Sequence, residues 1–165
     1  MKKLLPVFLL IAFIISGCSA RKDMGCEDIM IRMLCYTNES SRENGKIFLL
    51  SAQEWENEYF SDENKAILYG DKAFEHSFEK IEDCAIFVCS RYPEEIAIFK
   101  CYSRSDTKEI TQMCMLRADS IKVALRGTEW SEKAEMIKIS VHKRFVIMSF
   151  TDDPAKIEEK LRALA

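Results

Sequence analysis

Residues 83–102 constrain the fold more than any other part of the chain. Two short runs, 84–90 and 96–102, are dense in Ile, Phe, Val and Cys, and Arg91-Tyr92-Pro93-Glu94 separates them. Apolar runs of that length predict strands, and the proline-containing break predicts the turn of a hairpin. In the second run Ile96 and Ile98 alternate with Ala97 and Phe99. Neither face is polar, which is the pattern of a strand covered on both sides, with Lys100 snorkelling at its end. The period then changes. Asp106, with Glu109 three residues on, predicts a capping box that opens a helix running to Arg126 and stopping at Gly127. Its buried stripe is Ile110, Met113, Cys114, Ile121 and Leu125, with Arg117 contributing only its stem.

The same order repeats. Residues 136–141 and 144–150 predict a second hairpin around His142-Lys143, and Asp153-Pro154 opens a terminal helix. Ile157, Leu161 and Leu164 share one face of it, and proline suits the first helical position. Strand-strand-helix twice over predicts an α+β fold: an antiparallel sheet with helices packed on one face. An N-terminal helix over residues 27–35, marked by Ile29, Met30, Met33 and Leu34, precedes it and packs against the same sheet. Residues 37–45 read as an exposed loop closed by Asn44-Gly45, and residues 47–50 fit either a strand or a helix start. Residues 55–80 are acidic and aromatic and read as helical in pieces. Trp55, Tyr59 and Phe60 there read as core, with a partner contact as the alternative.

Residues 1–17 have a different character. Lys2 and Lys3 precede an apolar run over residues 4–15, closed by Ser16-Gly17 before Cys18. This is the three-part form of an export signal. The apolar run is too short for a spanning helix, which needs about 20 residues. Ile15-Ser16-Gly17-Cys18 resembles the lipobox of bacterial lipoproteins: an aliphatic residue, two small ones, then cysteine. The resemblance implies cleavage between Gly17 and Cys18, transfer of a diacylglyceryl group to the Cys18 thiol, and palmitate-type acyl chains as the anchor. Residues 1–17 are then the signal peptide, 18–24 the lipidated tether, and 25–165 a single α+β domain. Location follows: the outer face of the cell membrane, or the outer membrane in a Gram-negative host, because Ser19 would not retain the protein at the inner one. Loss of Lys2 and Lys3 takes the 24 basic residues to 22 against 27 acidic ones, a formal charge of −5. Such a balance, with no basic stripe, argues against nucleic acid as a partner. Membrane lipid through acylated Cys18 is the expected partner, joined by an envelope protein or cell-wall component.

The block Glu95-Ile96-Ala97-Ile98-Phe99-Lys100, the helix after it, the hairpin ending in Phe145-Val146-Ile147 and the lipobox resemble a Gram-positive lipoprotein family, the domain-of-unknown-function 4358 family, over roughly residues 65–160. Members usually carry glycine where this chain has His142-Lys143, and are poor in cysteine where this chain has seven. The resemblance implies an envelope location and an α+β fold, and carries no residue role.

Cys26, Cys35, Cys84, Cys89, Cys101 and Cys114 remain after Cys18. An even set in an exported chain invites disulfides. A two-residue loop at Tyr92-Pro93 would set Cys84 opposite Cys101, making them the candidate pair; a four-residue loop would set Ile86 there. The alternative is that all six are small buried hydrophobes. Cys84 and Cys89, an odd number apart on one strand, would face opposite ways, so no metal site is expected. His76 and His142 both read as exposed, leaving no partner for a nucleophilic cysteine. Glu95 and Lys100 are candidates to line a groove on the sheet. No cofactor motif and no catalytic residue are identified. The expectation is a non-catalytic binding domain at the cell envelope. The alternatives are a cell-wall or carbohydrate hydrolase using paired carboxylates, or a thiol-disulfide module.

Overall fold

The computed structural model describes residues 24–70 and 75–164. The expected cleavage site, Cys18 and Phe74 lie outside them. The order is α1 (Cys26–Met33) with a 3-10 turn (Leu34–Tyr36), α2 (Glu39–Asn44), β1 (Lys46–Leu49), α3 (Asp62–Tyr69), α4 (Glu75–Phe78), β2 (Ile81–Cys89), β3 (Glu94–Cys101), α5 (Thr107–Leu125), α6 (Ser131–Glu135), β4 (Lys138–His142), β5 (Phe145–Phe150) and α7 (Pro154–Leu164). The five strands form one antiparallel sheet in the order β1-β2-β3-β5-β4. The α+β class and both strand-strand-helix units are as the sequence leads one to expect.

The placement of the helices is not. They cover both faces of the sheet. On one face Ile86, Ala97, Phe99, Val146 and Met148 pack with Ile110, Met113, Cys114 and Ile121 of α5 and with Tyr69 of α3. On the other, Ala85, Phe87, Ile96, Ile98 and Ile147 pack with Ile29, Met30 and Met33 of α1 and with Ile157 and Leu161 of α7. The reason is β3, whose eight residues are all buried. A central strand with apolar side chains on both sides needs two covers, and one layer of helices would leave Ile96 and Ile98 in water. Each such side chain contributes about 1.5–3 kcal/mol when fully buried.

Two local expectations also change. Residues 37–45 are not an open loop, because α2 occupies most of them. Asn38 caps it by accepting from the Ser40 N–H at 2.9 Å, and the Ser41 hydroxyl donates to the Tyr92 carbonyl at 3.4 Å. Six residues are too few to show a helical period, and long-range contacts hold them. Asp106 and Glu109 do not form a capping box. Asp106 itself sits in the helical region, and its carboxylate accepts from the backbone N–H and hydroxyl of Ser103 at 2.9 and 2.6 Å. Glu109 is taken by the Ser77 hydroxyl at 2.7 Å and by Lys80. At the far end, Gly127 does stop the helix, at φ +77°, where a side chain would be strained.

Register fixes what lies at each end of the sheet. The β2–β3 turn has four residues, 90–93, so Cys89 faces Glu94 and Cys84 faces Phe99; a shift near Glu82 then sets Cys101 opposite Ile81. Neither expected partner faces Cys101, since Cys84 lies opposite Phe99 and Ile86 opposite Ala97, and the thiols of Cys84 and Cys101 are free. The turn end of the sheet carries Glu94, Glu95 and Phe150. The opposite end carries Asp83, Lys100 and the tip of the β4–β5 hairpin, which is Lys143-Arg144, one residue later than expected because His142 pairs with Phe145. Asp83 and Cys89 are six residues apart, or roughly 20 Å along the strand.

Candidate functional site

Glu94 and Glu95 open β3 at the turn end, and strand alternation sends them to opposite faces. Glu95 points toward α5. Arg117 of that helix grips its carboxylate with Nε at 3.1 and 3.2 Å and Nη2 at 2.6 Å, a fork that fits guanidinium to carboxylate. The Glu95 side chain is 2% exposed and that of Arg117 18%, so the pair is shielded from water on the carboxylate side. Burial pulls the Arg117 pKa down, the Glu95 charge beside it pulls it up, and the balance is upward. The expectation that Arg117 contributes only its stem is thus reversed: its head group does the pairing. Nearby, burial and then the Glu95 charge push the Tyr69 phenol well above its ordinary range. Its hydroxyl has no hydrogen-bond partner among the described residues.

Glu94 turns to the other face. One oxygen accepts the Asn38 N–H at 2.9 Å and the other meets Lys133 Nζ at 3.1 Å. Lys133 comes from α6, a five-residue helix, and its ammonium is also 2.7 Å from Asp152. Three rings surround it, with Tyr92 at 4.4 Å, Phe150 at 5.6 Å and Trp130 at 5.7 Å from their centroids. Tyr92 and Trp130 meet edge to face at 4.6 Å. Such a cage holds a cation through ring quadrupoles as well as through carboxylates.

Beside these pairs lies a groove of about 270 Å³ between the β2–β3 turn and the last two turns of α5. Val88, Pro93, Ile121, Ala124, Leu125 and Phe150 form apolar walls, with Glu94, Glu95 and Arg117 among its polar lining and Ser90 and Ser120 beside them. It is just under the roughly 300 Å³ at which small-molecule sites begin. Both carboxylates are occupied by cations. The groove therefore offers shape and apolar surface, with few acceptors left over.

Glu95 is among the lining of this groove and Lys100 is not. It lies five residues along β3, on the opposite face, and pairs with Glu82 at 2.8 Å. The cysteines are dispersed. Cys26, Cys84, Cys89, Cys101 and Cys114 are buried, and Cys35 is exposed. Burial raises the thiol pKa of Cys26, Cys84 and Cys114, and pushes that of Cys101 up to about 11. Thiols shifted that way are poor nucleophiles. His76 is exposed, with Nδ1 3.7 Å from Glu79, and His142 closes β4 beside the hairpin tip. Among the described residues no group of three or more His, Cys, Asp or Glu could hold a metal ion. No helix there is long and apolar enough to cross a membrane. No family model, curated protein or solved structure matches the chain.

Proposed function

We propose that this chain is a lipid-anchored, non-catalytic binding domain at the cell envelope, held by acylated Cys18 and displaying the groove on the end of the sheet away from the membrane. One observation carries the reading: the entry of the chain and the groove lie at opposite ends of the sheet. The Cys26 N–H donates to Asp83 at 2.8 Å, which fixes the start of α1 at the Asp83 end. The groove sits at the turn end, about 20 Å away. A tether entering from below thus leaves the groove facing outward, toward an envelope protein or cell-wall component. Binding is favoured over acid-base chemistry because Glu94 and Glu95 are both held by cations, where a general acid needs a carboxyl free to carry a proton. The raised thiols weigh in the same direction against a thiol-disulfide role.

Intact-mass analysis of protein extracted from native membranes tests the anchor. A chain beginning at diacylated Cys18 is expected, and an unlipidated chain beginning elsewhere refutes the anchor. A panel of small acids, amides and saccharides, read by backbone amide shifts, tests the groove. Shifts confined to residues 88–95 and 120–125, and abolished by Ala124→Trp, are expected. Chemical conversion of a panel member would instead establish the hydrolase alternative.

A further inference from the structure

We propose that the Asp83 end of the sheet is itself a membrane-docking surface, seated by Trp55 and Tyr102 in the headgroup layer. The proposal rests on the lipid-anchor reading, and its evidence is at the end of the molecule that the groove does not use. Two separate loops that leave that end each carry an exposed aromatic side chain. β1 ends at Leu49, opposite Ala85, and the loop after it returns to the same point: the Leu49 N–H donates to the Glu58 carbonyl at 2.6 Å, and the Phe60 N–H to the Leu49 carbonyl at 3.1 Å. Trp55 is in that loop and is 82% exposed. Tyr102 follows β3 directly, is tied by its N–H to the Lys80 carbonyl at 3.0 Å, and is 61% exposed. Core packing explains neither side chain, whereas Phe60, five residues after Trp55, is fully buried.

The occupant follows from where the chain enters. Five residues separate Cys18 from Met24. Even fully extended they reach roughly 20 Å. If Cys18 is acylated, the Asp83 end cannot leave the neighbourhood of the bilayer surface. Trp and Tyr are the side chains that favour that layer, with an apolar ring and a polar edge. Charge sets the depth. Glu54, Glu56 and Glu58 flank Trp55 and keep the loop out of the acyl core, while Lys143 at the hairpin tip and Arg104 after Tyr102 offer the opposite sign. Shallow seating on a neutral surface is the outcome, with no reliance on anionic lipid.

The chain has two tryptophans, and they lie at opposite ends of the sheet. Trp130 packs on Tyr92 at the turn end. The full-length lipidated protein is reconstituted in phosphatidylcholine vesicles with brominated acyl chains, as Trp130→Phe (reporting Trp55) and as Trp55→Phe (reporting Trp130). Both variants are read against unbrominated vesicles. Quenching of Trp55 by roughly half, with Trp130 unquenched, is expected for a ring at the headgroup boundary. Protein that floats with the vesicles but leaves Trp55 unquenched overturns the docking surface and spares the anchor. Quenching of Trp130 overturns the orientation, and protein that does not float with the vesicles overturns both readings. Each substitution keeps an aromatic side chain in place, and matching thermal unfolding of both variants to the parent protein keeps folding from confounding the comparison.

Discussion

The two ends of the sheet use the same kinds of charged residue in opposite surroundings. At the turn end, Glu94 and Glu95 are 0% and 2% exposed and each is held by a cation that is itself largely covered. At the Asp83 end, Lys80 and Glu109 are 40% and 37% exposed, and Glu82 is shared between Lys100 and Arg144 while 33% exposed. Water screens the Lys80–Glu109 pair and reaches Glu82, although Lys100 is itself only 8% exposed, and it is excluded from Glu94 and Glu95. Glu94 and Glu95 therefore behave as structural parts whose loss leaves an uncompensated partner, and the Lys80–Glu109 pair at the Asp83 end as adjustable surface.

The largest effect is expected at Arg117. Arg117→Met strands the Glu95 carboxylate, and a loss of about 3–5 kcal/mol in denaturant unfolding is expected. Adding Glu95→Leu should return much of it, since an apolar pair needs no counter-charge. A double variant no more stable than Arg117→Met would show that packing, not charge, was lost. Gly45→Ala comes next. A Cβ there would collide with the Phe87 ring and the Ser41 carbonyl, and a loss of about 1–3 kcal/mol is expected from overpacking. At the Asp83 end, Glu109→Gln should cost at most about 1 kcal/mol in the same measurement.

The pH dependence sharpens the contrast. Lys80, then Ser77, hold the Glu109 carboxyl below its ordinary value of 4.5, and Lys100 foremost, with Arg144, does the same for Glu82. A depressed folded value means stability that is present above pH 4.5 and lost as the pH falls through the folded value. Unfolding midpoints should therefore drop on acidification below pH 4.5, and Glu109→Gln should flatten part of that drop. The smallest effect belongs to Cys35. Alkylation followed by mass analysis should find it reacting rapidly in the folded protein, with the five buried thiols reacting on unfolding. Rapid labelling of Cys101, whose thiol burial raises to about 11, would show that the Asp83 end opens.

Legibility in the sequence tracked the range of the interactions. Ile29, Met30 and Met33 of α1, and Ile157 and Leu161 of α7, are buried as their spacing implies, because helical period is local. The two-sided cover of β3 was visible in Ile96-Ala97-Ile98-Phe99, although the general strand-helix order pointed to helices on one face. For the site, Glu95 could be named but Arg117 could not be matched to it. Nothing in a sequence pairs residues 22 positions apart on different elements, and a polar residue inside an apolar stripe is the one signal that marked Arg117. Lys133 gave less still, sitting in a helix of five residues whose place depends on the rings of Tyr92, Trp130 and Phe150.

Sequence alone determined the elements whose signals lie within a few residues: the strand runs, Pro154 at a helix start, Gly127 at a helix end, and the apolar segment leading to Ser16-Gly17-Cys18. Tertiary structure decided the helix cover and the ion pairs by packing, and the cross-strand partners by the four-residue β2–β3 turn with the shift near Glu82. That register parts Cys84 from Cys101, sets Cys84 opposite Phe99, and brings Cys89 opposite Glu94 at the turn end. Strand register moves every side chain of a strand at once, and its energy is the sum of many distant contacts. Local propensity does not contain that sum.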